Sequence, residues 1–248
     1  MTKIIEINNF SDDKLFENIT INVEKNTITT ISGANSCGKT TLMRILSREI
    51  ITENDILLNN KCINDYTISE YTSLVQTVIP TEIVFEENTL GKEIKNINIV
   101  KGLRIKSILD KNVNDLTIKE KVLAQIAIAL DYKPQVLLLD NVFIYFNDKE
   151  REEIFAFLRN YQKKYNLTVL LTTIDLRDSL YTDYLYIIGN KKIVLKGEPL
   201  KVLEKDNILN KVGLNIPFMA DLSVKLKDYD LLDSIVLEKD RMVDILWK

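Results

Sequence analysis

Histidine does not occur once in the 248 residues, so no imidazole is available to ligate a metal or to shuttle protons near neutral pH. Cysteine is nearly absent as well. Cys37 and Cys62 are the only two, too few for a disulfide framework and in keeping with a reducing compartment. No run approaches the roughly 18 apolar residues of a membrane span. The opening MTKIIEINNF has no apolar stretch with a small-residue cleavage site, so the chain is expected in the cytosol. An excess of one charge is missing too: 33 Lys and Arg stand against 36 Asp and Glu, interspersed, for a net charge of −3. Nothing in that balance favours nucleic acid or anionic lipid, and no nucleic-acid partner is expected. What remains is 46% hydrophobic, enough for the core of one α/β domain with appended pieces.

Short β-branched runs alternate with amphipathic stretches. KIIEIN, ITINV, TITTISG, DILLN, TSLVQ, QVLLLD, LTVLLTT, YLYIIG and KIVLK read as strands, and uniformly apolar ones such as VLLLD suggest a sheet covered on both faces. Helical spacing predicts helices over Gly38–Ile50 and over Asp148–Tyr161, the second opened by Asn147 and Glu150 as a capping box. Strand signal fades between Gln76 and Pro134. The expected division is a core over 1–76 and 134–203, an inserted helical part over 77–133, and a charged helical extension over 204–248.

The strongest single signal is GANSCGKT, Gly33 to Thr40, between the strand TITTIS and the helix KTTLMRIL. This is the phosphate-loop pattern in its required context. Its glycines let backbone amides turn inward around anionic oxygens, and the helix N-terminus adds partial positive charge. Lys39 would reach the terminal phosphates and Thr40 would hold Mg²⁺. Gly33, Ala34, Asn35, Ser36, Cys37, Gly38, Lys39, Thr40 and Thr41 are therefore the expected phosphate-binding set. Cys37 is either a small loop residue or a reactive thiol beside Lys39.

With that loop placed, the chain resembles the ATP-binding-cassette (ABC) ATPases nearly end to end. The resemblance implies a RecA-like phosphate-loop α/β fold with a mixed sheet, ATP and Mg²⁺ as ligands, and a head-to-tail dimer of two cassettes. Phe10 stands in the place of the family's adenine-stacking aromatic, or else is a core phenylalanine. Gln76, closing TSLVQ, matches the glutamine that senses the metal and the attacking water, or is an exposed strand end. Asp140, closing VLLLD, matches the second metal-binding carboxylate. Leu116, Thr117, Ile118, Lys119 and Glu120 fall where the family carries its signature. ILNKVGLNIPFMADLSVKLKDYDLL looks like the tail of energy-coupling-factor ATPases, subunits of vitamin and metal-ion importers, or else is a generic capping extension. A transmembrane partner would dock near Thr77–Leu90, on the inner face of the cell membrane.

The departures from that pattern concern hydrolysis. The family's water-polarising glutamate is Asn141 here and its switch histidine is Ile174; an amide takes no proton at neutral pH, and isoleucine forms no hydrogen bond. In the signature, Ile118, Lys119 and Glu120 replace two glycines and a glutamine, and Asn147 replaces the family's loop aspartate. The expected function is therefore an importer subunit that binds MgATP and hydrolyses it weakly, the degenerate half of a heterodimer. The competing expectation is a soluble nucleotide-dependent regulator without a transport role.

Overall fold

Three segments are buried along their whole length, Ile28–Gly33, Val136–Asp140 and Thr168–Thr173. Strands without a polar face need cover on both sides, and that need organises the molecule. The computed structural model describes residues 2–12, 14–53 and 55–247. Its N-terminal elements are β1 (Lys3–Phe10), β2 (Ile19–Glu24), β3 (Ile28–Gly33), α1 (Lys39–Leu46), β4 (Ile56–Leu58), β5 (Lys61–Cys62), α2 (Ile68–Leu74) and β6 (Val75–Val78). Next come α3 (Leu90–Glu93), α4 (Ile97–Gly102), α5 (Ile118–Asp131), β7 (Val136–Asp140), α6 (Asp148–Tyr165), β8 (Thr168–Thr173), β9 (Tyr184–Gly189) and β10 (Lys192–Gly197). Helices α7 (Pro199–Leu203), α8 (Asp206–Lys211), α9 (Phe218–Asp228) and α10 (Lys239–Leu246) follow.

The main sheet has the order β10-β9-β3-β8-β7-β6. All its pairs are parallel except β9 with β10. Because side chains alternate along a strand, β7 feeds two cores at once. Val136 and Leu138 pack with α1 and the small antiparallel sheet β2-β1-β4-β5, whereas Leu137 and Leu139 pack with α5 and α6. A third cluster joins Leu185 and Ile187 of β9 to Leu203, Leu209, Leu214 and Ala220, so the C-terminal helices lean on the edge of the sheet. The parallel strands β3, β7 and β8 end together, which gathers the loops after Gly33, Asp140 and Thr173 at one end of the sheet, the usual place for a ligand in such folds.

Several elements differ from the sequence reading. TSLVQ is not one strand: Thr67 and Glu70 form a complete capping box, so Thr72, Ser73 and Leu74 finish α2 and β6 starts at Val75. Helix α1 stops at Leu46 instead of Ile50, because Arg48 turns into the left-handed region at φ 64°. Helix α6 runs beyond Tyr161 to Tyr165, closed by Asn166 in the left-handed conformation. Its start is as read, with Asn147 and Glu150 exchanging side-chain and backbone hydrogen bonds.

Of the two readings of Phe10, the structure has the core phenylalanine. It is 1% exposed and meets Phe16 edge-on at 5.6 Å between ring centroids, because the inward side of β1 faces the core shared with α1. No face of its ring is left for a base. Phe10→Ala therefore removes a core ring, and chemical denaturation should show a loss of about 3–5 kcal/mol.

Candidate functional site: an anion cleft at the start of α1

Gly38 opens α1 at φ 101°, a conformation that side chains other than glycine's disfavour. A Cβ there would also lie 2.5 Å from the Phe16 ring. Among the described residues no side chain caps α1, which leaves its first-turn amides for a ligand, and the helix adds partial positive charge in the same direction. A cleft of 330 Å³ lies in front of them, lined by Leu15, Asn35, Ser36, Gly38, Lys39, Thr40, Thr41, Asp140, Asn141 and Ile174.

Lys39 is 7% exposed. Its ammonium donates to the carbonyls of Gly33 at 2.6 Å and Ala34 at 2.8 Å, and lies 3.7 Å from the Cys37 thiol. Among the described residues its hydrogen-bond partners include no carboxylate. Burying a charge is costly unless it is matched, and an anion in the cleft would supply a match. Asp140 is 5% exposed; its two oxygens accept from Thr40 Oγ1 at 2.7 Å and Thr172 Oγ1 at 2.5 Å.

Mg²⁺ is tested by the same geometry. Thr40 and Asp140 place hard oxygens side by side at the phosphate end of the cleft. Among the described residues no group of three or more His, Cys, Asp or Glu could hold a metal. One hydroxyl and one carboxylate fit a Mg²⁺ that completes its shell with phosphate oxygens and water.

Asn141 and Ile174 both reach the cleft. Asn141 sits at φ 50°, a left-handed backbone that asparagine tolerates better than most residues. Its amide donates to Thr172 O at 3.0 Å and Thr172 Oγ1 at 3.1 Å, while its enclosed Oδ1 accepts no hydrogen bond from a described residue. Ile174 follows Thr173, whose hydroxyl donates to Asp178 at 2.6 Å. On its other side Asp175 accepts from Arg151 and Arg177. Burial opposes ionisation of Asp175, but hydrogen bonds from Arg177 and Arg151 prevail and hold its pKa down at about 2. Arg151 also reaches Asp178 at 3.0 Å and the Phe146 carbonyl at 3.0 Å, so one buried guanidinium ties α6 to the loop after β8.

The structure does not bring Gln76 to this place. Gln76 pairs with Leu137, and Val78 with Leu139, so Gln76 lies three residues short of the level of Asp140, about 10 Å along the strand. Its amide donates to Thr72 O at 2.6 Å. The position level with Asp140 falls to Ile79, which is 6% exposed. Reading TSLVQ as a strand set its end too early, and the Thr67–Glu70 cap was the signal that could have shown it.

Residues 116–120 do not line the cleft either. Leu116 is buried and Ile118 is 45% exposed. Thr117 and Glu120 form the capping box that starts α5, and Lys119 pairs with Glu150 at 2.7 Å. Glu120 accepts from Lys111 and from the Thr117 amide, which hold its pKa down at about 2. Its negative charge therefore persists throughout the neutral range.

Fold and cleft define a phosphate-loop α/β protein. A profile of the ABC transporter family matches residues 16–143, and the chain belongs to that family. It is 25% identical to the energy-coupling factor transporter ATP-binding protein EcfA of Pediococcus pentosaceus, over 97% of this chain and 95% of that one. The structure of cbiO1 from Clostridium perfringens, part of the ABC transporter complex cbiONQ, matches with a TM-score of 0.72 at 23% identity, covering 90% of this chain and 99% of that one. A nucleotide-free ATP-binding cassette from an ABC transporter matches at 0.71 and 20%, covering 84% and 98%. The shared fold is that of the ATP-binding cassette.

Two outcomes follow from this geometry. Lys39→Ala should weaken MgATP binding at least about tenfold in equilibrium titration, since a charge-assisted contact is worth about 1.5–3 kcal/mol. Arg151→Met strands Asp178, which is fully buried, and thermal or chemical unfolding should show a loss of about 3–5 kcal/mol.

Proposed function

We propose that the chain is the nucleotide-binding subunit of an energy-coupling-factor-type importer, paired head to tail with a second cassette. In this reading it binds MgATP firmly and hydrolyses it poorly, while the partner supplies the competent chemistry. The observation that supports the proposal is the buried Lys39, held by backbone carbonyls, facing a cleft whose other wall includes Asn141 and Ile174. The first favours binding of a polyphosphate; neither side chain of the second accepts a proton.

Each residue has a role in this reading. Lys39, Thr40, Thr41 and the amides after Gly33 hold the phosphates, with Mg²⁺ on Thr40 and Asp140. When bound, Mg²⁺ neutralises phosphate charge. Thr172 orients Asp140 through its 2.5 Å hydrogen bond. The side-chain amide of Asn141 takes no proton at neutral pH. Losing general-base assistance alone costs about 10²–10⁴ in rate. On the opposite side of a dimer, Glu120 would face the partner's nucleotide with a persistent negative charge, which opposes close approach of a phosphate.

The body over 1–76 and 134–203 is assigned to nucleotide binding, 77–133 to the inserted helical part, and 204–248 to contact between cassettes. Among the described residues no helix is long and apolar enough to cross a membrane, so a membrane subunit would have to dock. Thr77–Leu90 remains the proposed docking segment, with a smaller apolar face than its sequence suggests. Ile79 is buried, Ile83 and Phe85 pack against the core of α5 and α6, and Glu82 pairs with Arg44. Val84, 76% exposed, is the apolar side chain left to a partner.

Turnover by the purified chain should be near background in a phosphate-release assay. Asn141→Glu alone should recover little, because Ile174 is unchanged and glutamate tolerates the left-handed backbone less well than asparagine. Robust turnover by the wild-type chain would sink the degenerate-subunit reading.

A further inference from the structure

At the other end of the main sheet, where β3 begins, lies a cavity of about 1100 Å³, against 330 Å³ for the phosphate cleft. Strand β3 runs from Ile28 here to Gly33 there, roughly 17 Å at 3.3 Å per residue, and the two spaces share no lining residue. The floor of the larger one is tied together. Gln162, 5% exposed, donates to the Asn26 carbonyl and accepts from Arg159 at 3.2 Å. Arg159 also donates to Asp183 at 2.6 Å, and Asp183 accepts from the Ile28 amide at 2.7 Å. These bonds join the end of α6 to the starts of β3 and β9. Beside them the Tyr186 hydroxyl accepts from the Asn22 amide at 3.0 Å and donates to the Asn22 carbonyl at 2.9 Å.

The walls carry groups that this frame leaves unused. Among the described residues Lys25, Lys163 and Lys196 enter no ion pair, whereas Lys3 pairs with Glu6 and Arg159 with Asp183. The enclosed Oδ1 of Asn22 accepts no hydrogen bond from a described residue, although a buried acceptor ordinarily finds a donor. The half-buried ring of Tyr184 lies 4.9 Å from that of Tyr186 between centroids. Burial, and after it the charge of Glu24, raises the Tyr184 pKa, so this ring stays neutral.

We propose that this cavity is a second ligand site, separate from the phosphate cleft, for a small anionic heterocycle of the class of mononucleotides and other heterocyclic phosphate monoesters. The charge follows from the lysines. They come from the turn between β2 and β3, from α6 and from β10, so unmatched positive charge stands on three walls and draws an anion in. The ring follows from the other two groups. Tyr184 gives a flat ring a face to stack on, and Asn22 Oδ1 calls for a donor, which the N–H groups of a heterocycle supply. Size agrees, since small-molecule pockets span about 300–1,000 Å³.

The experiment is equilibrium dialysis of the full chain against guanosine monophosphate, flavin mononucleotide and inorganic phosphate, on the wild type, on Lys39→Ala, on Tyr184→Leu, and on Lys163→Ala combined with Lys196→Ala. Both heterocyclic phosphates should bind with a Kd of about 1 mM or tighter, within about twofold on the wild type and Lys39→Ala, and at least about tenfold more tightly than phosphate. Removing the two exposed lysines should weaken both at least about tenfold, the worth of a charge-assisted contact, while MgATP affinity stays within about twofold. Tyr184→Leu should weaken both about threefold to tenfold and leave phosphate unchanged. Loss of binding in Lys39→Ala would place the probes in the phosphate cleft and overturn the second site. Indifference to the lysine substitutions, or no binding of either probe, would overturn it equally. Phosphate binding as tightly as the two esters would overturn the heterocycle.

Discussion

The ammonium of Lys39 is enclosed by two carbonyls and a thiol, without a carboxylate among its hydrogen-bond partners. This arrangement sets the terms for everything around it. Burying a charge is costly unless it is matched, and here the match is left to an incoming anion. The loop can hold that cation only because β3 delivers Gly33 from a fully buried strand and Gly38 turns the chain through a left-handed residue into α1. The oxygens of Asp140 accept from Thr40 and Thr172, so the cleft holds a cation without a carboxylate hydrogen-bond partner among the described residues and a carboxylate ordered by two hydroxyls.

Much of this arrangement was legible in the sequence because it depends on local pattern. GANSCGKT between a strand and a helix fixes the loop, VLLLD fixes the strand that ends at Asp140, and Asn147 with Glu150 fixes the start of α6. What escaped depends on register and on packing across the molecule. A period-two pattern cannot say where along β7 a neighbouring strand sits, so the sequence could not show that Gln76 pairs with Leu137, three residues before Asp140. Phe10 could be read as a stacking aromatic because sequence does not reveal that β1 turns that ring onto Phe16. Thr172 drew no notice, since a threonine in a strand is ordinary until a carboxylate is found 2.5 Å from its hydroxyl.

The apolar strip at Thr77–Leu90 shows the same limit from another side. Hydrophobic residues among carboxylates fit a docking surface, and they fit equally the underside of a helical part that must cover α5. The fold uses most of them for cover. An isolated sequence pattern cannot divide a residue's apolar surface between core and partner, because that division is decided by which helix lies above it.

The wall of the cleft that carries Asn141 and Ile174 is held by a continuous frame. Thr173 and Asp175, on either side of Ile174, are held by Asp178, Arg151 and Arg177, and Asn141 is fixed through its amide to Thr172. Burial pushes the Asp178 carboxyl up to about 6, against the hydrogen bond from Thr173 and the charge of Arg151, so this network is not a simple source of stability. Its physical effect is geometric. Arg151 binds the Phe146 carbonyl before α6 together with the carboxylates after β8, which ties together the two loops beside the phosphate end. Walls tied in this way cannot yield independently without breaking hydrogen bonds to a buried guanidinium. Asn141 and Ile174 carry no group that accepts a proton at neutral pH, while the hydrogen bonds that hold their loops are complete enough to join β7, β8 and α6.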